Sequence, residues 1–179
     1  FVNMIPYAEP FEAMPPYADG FAIDGTNGWI GRAGDAVIST NEALNAEIAD
    51  FQASGIPAPI PGPHTKLVCL IPDEVPLARP RIPAKVAGKV EGNTSTLFTD
   101  FLWRPRRGAQ PRTVTTNAQV AFYPHYNGTL VIYHDDGGTP EWLALTNSPV
   151  INTSEWVRVT VEQNFAHSRW RLRINGQEH

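Results

Sequence analysis

The chain has 179 residues, the size of one ordinary domain, and its 14 glycines and 17 prolines predict numerous loops. A hydrophobic share of 42% is enough to bury a core, which excludes wholesale disorder. The net charge of −4 gives no broad positive field for a phosphate backbone. The sequence also lacks an apolar run of the roughly 18 residues that a transmembrane helix needs. We therefore expect a globular protein without nucleic-acid binding or membrane insertion.

The first half of the chain predicts three short strands separated by proline-rich loops. The strands fall at residues 35–40, 65–71 and 85–91. Prolines crowd residues 56–63 and 72–83, and each one removes a backbone donor from a sheet, so these two segments are predicted to be extended loops.

One segment has helical rather than strand periodicity. Leu44, Ile48 and Phe51 recur at positions i, i+4 and i+7, which places them on one side of a helix. Thr40 or Asn41 is the expected N-terminal cap, and Gly55 is expected to end the helix.

The second half of the chain is dominated by period-two alternation. Strands are predicted at residues 96–103, 117–126, 129–134, 141–145, 155–162 and 169–174. In the last two, Val157, Val159 and Val161 face one way, and Trp170, Leu172 and Ile174 do the same. Asn127-Gly128 predicts a hairpin with a type I′ turn, and Asn175-Gly176 predicts a second hairpin.

Several motifs resemble the concanavalin A-like (laminin-G-like) jelly-roll domains of bacterial cell-surface proteins. They are PFE at 10–12, YADG at 17–20, GTNGW at 25–29, EWVRVTV at 155–161 and RWRLRING at 169–176. The resemblance covers nearly the whole chain. It implies an all-β fold, a jelly-roll sandwich of two antiparallel sheets with one short helix and proline-rich loops. Residues 1–179 would form this single domain, complete or without its closing C-terminal strands.

The sequence predicts no catalytic site and no cofactor. A glucanase of this fold would carry a Glu-x-Asp-x-Glu strand, which places an acid and a nucleophile on one face, and the sequence has none. Glu47 and Asp50 fall in the predicted helix, and the five histidines lack the spacing of a zinc site. A hydrolase or lyase with an unrecognised site remains the third alternative.

Calcium is the one metal that remains a candidate. The resemblance implies a hard oxygen site that ties the N-terminal segment to a neighbouring strand, and Glu12, Asp19 and Asp24 lie in that region. Solvated carboxylates that form turns are the alternative interpretation.

Two tryptophans next to loops are the best candidates for binding a glycan, because an exposed indole covers the face of a sugar ring. They are Trp103 and Trp142, and the candidate basic residues beside Trp103 are Arg104, Arg106 and Arg107. Trp170 is in phase with Leu172 and Ile174, so we expect it in the core.

The ends of the chain suggest assembly. Only three residues follow Asn175-Gly176, so the last long strand is expected to keep an open edge. One hypothesis is that residues 1–12 of a neighbouring subunit pair with this edge as an added strand. The apolar side chains of this segment are those of Phe1, Val2, Ile5, Tyr7 and Phe11. Closure by the chain's own residues 1–12, or a chain that is a fragment, are the alternatives.

The resulting functional hypothesis is a non-catalytic structural or adhesion module at the cell surface, exported with its signal removed. Its partners would be further copies of itself or a surface protein. A carbohydrate-binding module with a polysaccharide ligand is the second hypothesis.

Overall fold

The computed structural model describes residues 11–12, 17–24, 26, 29–31, 36–57, 65–70, 78–80, 96–109, 120–134, 137 and 139–179. The chain divides into two compact units, Phe1–Ser95 and Thr96–His179. Each unit is described separately below. The prediction of one domain over residues 1–179 stays a prediction.

The described residues of unit 1 form two short antiparallel sheets. Strand β1 (Trp29–Gly31) pairs with β4 (Ala78–Pro80), and β2 (Ala36–Thr40) pairs with β3 (Lys66–Leu70). The core next to β2 is formed by Tyr17, Ile23, Ala36 and Ile38, which are at most 4% exposed. The prediction of a loop throughout residues 72–83 is therefore wrong at β4. A proline is accommodated there because it ends a three-residue strand, where a missing donor costs little.

The helix α1 (Leu44–Ala53) lies where the periodicity predicts it, with Leu44 and Ile48 buried. Gly55 has a φ of +88° and its N–H donates to the carbonyl of Gln52, so the predicted end is confirmed. The predicted cap is wrong, since Ala43 is the N-cap residue and contributes no side-chain hydrogen bond. Asn41 instead accepts the Ala43 N–H at 3.1 Å and shapes the preceding turn.

Unit 2 contains two antiparallel sheets. The first sheet has the order β11-β10-β9-β5, and its strands are β5 (Thr96–Trp103), β9 (Val157–Asn164), β10 (Arg169–Ile174) and β11 (Gln177–Glu178). The second sheet has the order β6-β7-β8, with β6 (Phe122–Pro124), β7 (Leu130–His134) and β8 (Glu141–Ala144). The strand predicted at residues 85–91 lies outside the described residues.

Both sheets of unit 2 contribute to one hydrophobic core. Its buried members are Leu130, Ile151, Val157, Val159, Val161, Leu172 and Ile174. The alternating apolar residues of the last two predicted strands thus point inward, as expected. Over the residues that the structure describes, it confirms a mainly β, antiparallel fold with one helix.

The two predicted hairpins form different turns. Asn175 and Gly176 both have positive φ, +53° and +84°, as a two-residue type I′ turn requires. In the loop between β6 and β7 only Gly128 does, at +86°, and the His125 N–H donates to Thr129 at 2.9 Å. This is a three-residue loop, so the type I′ prediction for Asn127-Gly128 is wrong.

Candidate functional site

Three aromatic side chains share one face of the sheet β6-β7-β8. Tyr123 is opposite Val131 across β6 and β7, and Trp142 is opposite Tyr133 across β7 and β8. Directly opposed residues point to the same side of a sheet, and so do residues two apart on a strand, so all four lie on one face. We call Tyr123, Tyr133 and Trp142 the aromatic face.

The opposite side of this sheet faces the core of unit 2. Leu130 is fully buried there, and Phe122 packs against the same cluster. Because strand side chains alternate, the aromatic face points away from that core.

The register of the β6–β7 hairpin decides which residues form this face. In the three-residue loop, Phe122 is opposite Ile132 and Tyr123 is opposite Val131. A two-residue Asn127-Gly128 turn would shift the pairing by one residue and place Tyr123 opposite Ile132, on the side of the core. A shift of one residue exchanges the two faces of a strand, so the longer loop brings Tyr123 and Tyr133 together.

The indole of Trp142 contacts the rings of both tyrosines edge to face. The indole of Trp142 lies 5.1 Å from the ring of Tyr123 and 5.3 Å from that of Tyr133, between centroids, at interplanar angles of 85° and 61°. All three side chains are half-buried. Burial raises the pKa of Tyr123 above its ordinary value of 10.0, and the phenol, like any tyrosine at neutral pH, is able to donate a hydrogen bond. The face therefore combines apolar ring surface with hydroxyl groups.

A groove lies beside the start of β10, in the same unit. Its volume is about 360 Å³. Its lining residues are Ile132, Tyr133, His134, Leu145, Ser168, Arg169, Trp170, Arg171, Leu172 and His179. We call this set the arginine groove; its described lining residues include two arginines and two histidines, with no Asp or Glu among them. Tyr133 belongs to both the aromatic face and the groove.

A second hollow of about 220 Å³ shares Arg169, Trp170 and Arg171 with the groove. Glu162 is the acidic residue in its lining, and the Arg173 guanidinium donates to the Glu162 carboxylate at 3.0 Å. Among the described residues that line the two hollows, positive charge is therefore in excess.

The arginines of the first sheet differ in how closely a carboxylate pairs with the guanidinium group. Arg158 donates to both carboxylate oxygens of Asp100, and that hydrogen bonding raises the pKa of Arg158. Arg171 lies 3.8 Å from Glu178, a surface contact between half-exposed groups. The side chain of Arg169 has neither a hydrogen bond nor an ion pair with another described residue, and the residue is exposed.

One ring nitrogen of His179 has no hydrogen-bond partner among the described residues. Its Nε2 atom is buried and makes no hydrogen bond within the described part of the chain. A buried nitrogen without a partner is costly, and a polar ligand group in the groove would satisfy it.

The structure separates the residues that the sequence suggests for glycan binding. Trp142 lies on the aromatic face, whereas Trp103 packs against the core with its ring 5.9 Å from that of Phe122. Arg107 is held by two hydrogen bonds to the carbonyl of Ile151, at 2.9 and 2.7 Å.

The other two arginines of that set lie at the surface. Arg104 is exposed and stacks over the indole of Trp156 at 5.3 Å, and Arg106 is exposed. Neither lines the arginine groove. Trp170, expected in the core, packs against it but also lines the groove.

The carboxylates considered for calcium bind backbone groups. Glu12 accepts the N–H groups of Thr65 and Lys66, and Asp19 accepts that of Thr40 at 2.6 Å. Asp24 is exposed. Within the described ranges no three His, Cys, Asp or Glu side chains are grouped so that they could hold a metal ion.

The segment considered for assembly is mostly outside the described residues, as Phe1, Val2, Ile5 and Tyr7 all are. Phe11 is described, and its ring lies 5.4 Å from that of Tyr17 in the core of unit 1. Strand exchange through this segment stays a prediction.

The sequence reasoning missed Tyr123, Tyr133, Arg169 and Arg171. A signal for the arginines is present, because they alternate with Trp170 and Leu172 and must share a face. The two tyrosines carry no comparable signal, since their common face depends on the length of the hairpin loop.

Comparisons with models of protein families, with curated proteins and with solved structures found no match. In the described residues, no helix is long and apolar enough to cross a membrane.

Proposed function

We propose that the protein is a non-catalytic, exported cell-surface adhesion module that binds carbohydrate through its aromatic face. The observation that carries this proposal is the edge-to-face cluster of Tyr123, Tyr133 and Trp142 on the side of a sheet that points away from the core. A concanavalin A-like jelly roll is the fold that we propose for it, supported by the two antiparallel sheets that share the core of unit 2.

The chemistry of the face suits a sugar ring. A pyranose has an apolar side of C–H groups, which pack on an aromatic ring, and a rim of hydroxyls, which need hydrogen-bond partners. The indole of Trp142 supplies ring surface, and the phenols of Tyr123 and Tyr133 supply donors and acceptors beside it. The rings hold each other in place, so little side-chain entropy is lost when a ligand binds.

The state of the carboxylates supports a non-catalytic function. A retaining glycosidase needs an acid and a nucleophile about 5 Å apart, with one group protonated. On the outer side of the first sheet, Glu162 and Glu178 both accept from the Arg173 guanidinium, at 3.0 and 3.2 Å. Asp100 is paired with Arg158. These carboxylates are engaged by arginine side chains, which suits structure rather than catalysis.

Isothermal titration against a panel of neutral and acidic polysaccharides tests the proposal. We expect at least one polymer to bind, and Trp142→Ala to weaken that binding about tenfold, the loss of one stacked ring. Tyr126→Ala is the matched control, because Tyr126 is 65% exposed but lies in the hairpin loop, off the aromatic face. It should leave the affinity unchanged. Equal affinity of Trp142→Ala and the wild type would refute the site.

Turnover is tested with the same polymers. We expect no release of reducing ends or unsaturated products above a heat-inactivated sample. Release above that background would overturn the non-catalytic assignment.

A further inference from the structure

We propose that Asn127 and Asn152 are acceptors for N-linked glycans when the chain passes through a secretory pathway. Each begins an Asn-x-Ser/Thr sequence, at residues 127–129 and 152–154, in which a hydroxyl follows the acceptor by two positions. This modification rests on the export that is part of the proposed function, and the aromatic face does not require it. A third such sequence, at residues 93–95, lies outside the described residues.

The fold brings the two acceptor loops together. Asn127 lies in the three-residue loop between β6 and β7, and Asn152 lies in the loop that precedes β9. The backbone N–H of Ile151 donates to the carbonyl of Gly128 at 2.9 Å, so the direct neighbours of the two acceptors are hydrogen-bonded to each other. Arg107 donates to the carbonyl of the same Ile151. Both acceptors therefore lie close together in unit 2, on loops that hydrogen bonds hold in place.

The oxygen of the Asn127 side chain is engaged by its neighbours. The Thr129 N–H donates to this Oδ1 atom at 3.0 Å, and the Nδ1 atom of His125 lies 3.0 Å from it. The Nδ2 atom donates to no other residue in the described part of the chain, and Asn127 is exposed. The nitrogen is the atom to which an N-linked glycan is attached. A sugar at this position displaces no hydrogen bond between described residues.

The oxygen of the Asn152 side chain is held in the same way. The Ser154 backbone N–H and hydroxyl both donate to the Oδ1 atom, at 3.2 and 2.9 Å. The hydroxyl of the three-residue signal is thus in contact with the acceptor amide. The Nδ2 atom donates to Glu155 at 2.9 Å. A glycosylated amide keeps one N–H, and with it a donor for Glu155.

The reaction joins the amide nitrogen to a sugar. The co-substrate is an oligosaccharide linked to a polyprenyl diphosphate, which the secretory pathway supplies together with the transferase. A bond forms between the Nδ2 atom and C1 of the first sugar, and the C1–O bond to the diphosphate breaks. The polyprenyl diphosphate leaves with the electron pair of that bond, and the amide loses one of its two protons. The product is bulky and hydrophilic, so it needs an acceptor on the surface of the folded protein.

Apolar side chains next to the acceptors are exposed. Tyr126, which directly precedes Asn127, is 65% exposed, and Val150, which lies close to Gly128, is 71% exposed. The C–H groups of a sugar pack on apolar side chains and on aromatic rings above all, while its hydroxyls stay in water. A glycan in this region therefore has apolar surface to cover as well as room.

Glycopeptide mass spectrometry tests the two sites. The full chain is expressed in mammalian cells behind a cleavable secretion signal, and both secreted and retained protein are digested. We expect glycan on Asn127 and on Asn152. Asn175 is the internal control and should carry none, because it is exposed and followed by glycine, as Asn127 is, but has Gln177 in place of the hydroxyl residue. An unmodified Asn127 or Asn152 would overturn the assignment of that site.

Two neighbouring substitutions test the role of the hydroxyl. Ser154→Ala removes it from the position of the signal and should abolish the glycan on Asn152. Thr153→Ala is the matched control, since it also removes a hydroxyl from an exposed residue, but at the middle position. It should leave the glycan in place. Loss of the glycan in both variants, or in neither, would overturn the assignment of Asn152. Thr129→Ala should abolish the glycan on Asn127, and a glycan that persists there would contradict the assignment.

The outcome for the two asparagines is independent of the outcome for Trp142. Glycans on Asn127 and Asn152 in a protein that binds no polysaccharide would reject the aromatic face as a binding site and support the modification. Polysaccharide binding that Trp142→Ala weakens, in a chain whose two asparagines stay unmodified, would support the aromatic face and overturn the inference about glycans.

Discussion

The carboxylate of Glu12 joins two distant parts of unit 1 by accepting hydrogen bonds from Thr65. The backbone N–H of Thr65 donates at 2.6 Å and its hydroxyl at 2.5 Å, and the backbone N–H of Lys66 donates at 3.0 Å. Burial raises the pKa of Glu12, but these hydrogen bonds and the charge of Lys66 outweigh it, so the pKa lies below its ordinary value of 4.5. The ionised form is the one that the fold prefers.

The first prediction concerns pH. A lowered carboxyl pKa contributes stability that is fully present above the unfolded value and is lost as the pH falls through the folded one. Glu12→Gln should therefore lower the free energy of unfolding by about 1–2 kcal/mol at pH 7, and the difference should vanish in acid. Urea unfolding of both proteins between pH 3 and 7 measures it. Asp50→Asn, at an exposed helix position, is the control. A difference that does not change with pH would contradict this account.

The second prediction ranks two ion pairs on the outer side of the first sheet. Asp100 is 26% exposed, accepts from Arg158 and also accepts from the Thr160 hydroxyl at 3.1 Å. Asp100→Ala removes the hydrogen bonds that these donors make to Asp100 and should cost about 1–3 kcal/mol of unfolding free energy. Glu178 is 51% exposed in its pairs, so Glu178→Ala should cost less than about 1 kcal/mol. The reverse order in chemical denaturation would refute the assignment.

The third prediction compares two glycines with the same backbone conformation. A Cβ atom at Gly128 would lie 2.7 Å from Val150 and 2.9 Å from the guanidinium of Arg107, which holds Ile151. At Gly176 it would meet nothing within 4 Å. Gly176→Ala should cost about 1 kcal/mol for the positive φ, and Gly128→Ala about 1–2 kcal/mol more, because Arg107 must move. Equal losses in thermal unfolding would show that Arg107 and Val150 adjust freely.

The fourth prediction separates the aromatic face from the core. Trp142 is half-buried and pairs across strands with Tyr133, so Trp142→Ala should lower stability by about 1–2 kcal/mol. Leu172 is 1% exposed, and Leu172→Ala should cost about 2–5 kcal/mol. Urea unfolding of both variants tests this order. A Trp142→Ala loss as large as that of Leu172→Ala would place the indole in a core.

The positions of Trp103 and Trp142 show a property that local sequence does not predict, namely which side of a sheet a residue faces. Trp103 and Trp142 each sit in a strand and adjoin a loop, so local pattern treats them alike. In the fold, Trp103 is opposite Val157 on the inner side of the first sheet, while Trp142 is opposite Tyr133 on the outer side of the second. The identity of the opposing strand decides this, and β5 and β9 are more than fifty residues apart.

The sequence by itself determined the features that depend on near neighbours. The alternation in β9 and β10, the helix around Leu44 and Ile48, and the turn at Asn175-Gly176 all follow from side-chain spacing and local backbone preference. These are properties of a few consecutive residues, which is why a single sequence is enough to predict them.

Only the tertiary structure decided the candidate site. The aromatic face requires the three-residue loop at Gly128. This loop sets the β6–β7 register so that Tyr123 is opposite Val131, on the same face as Tyr133, instead of opposite Ile132. The arginine groove requires β7 and β10 to lie close. The pairing of the arginines depends on neighbouring strands as well: among the described residues, carboxylates on these strands form ion pairs with Arg158 and Arg173 but not with Arg169. Register and strand neighbours are set by contacts between residues far apart in the chain, and the spacing within one strand carries no information about them.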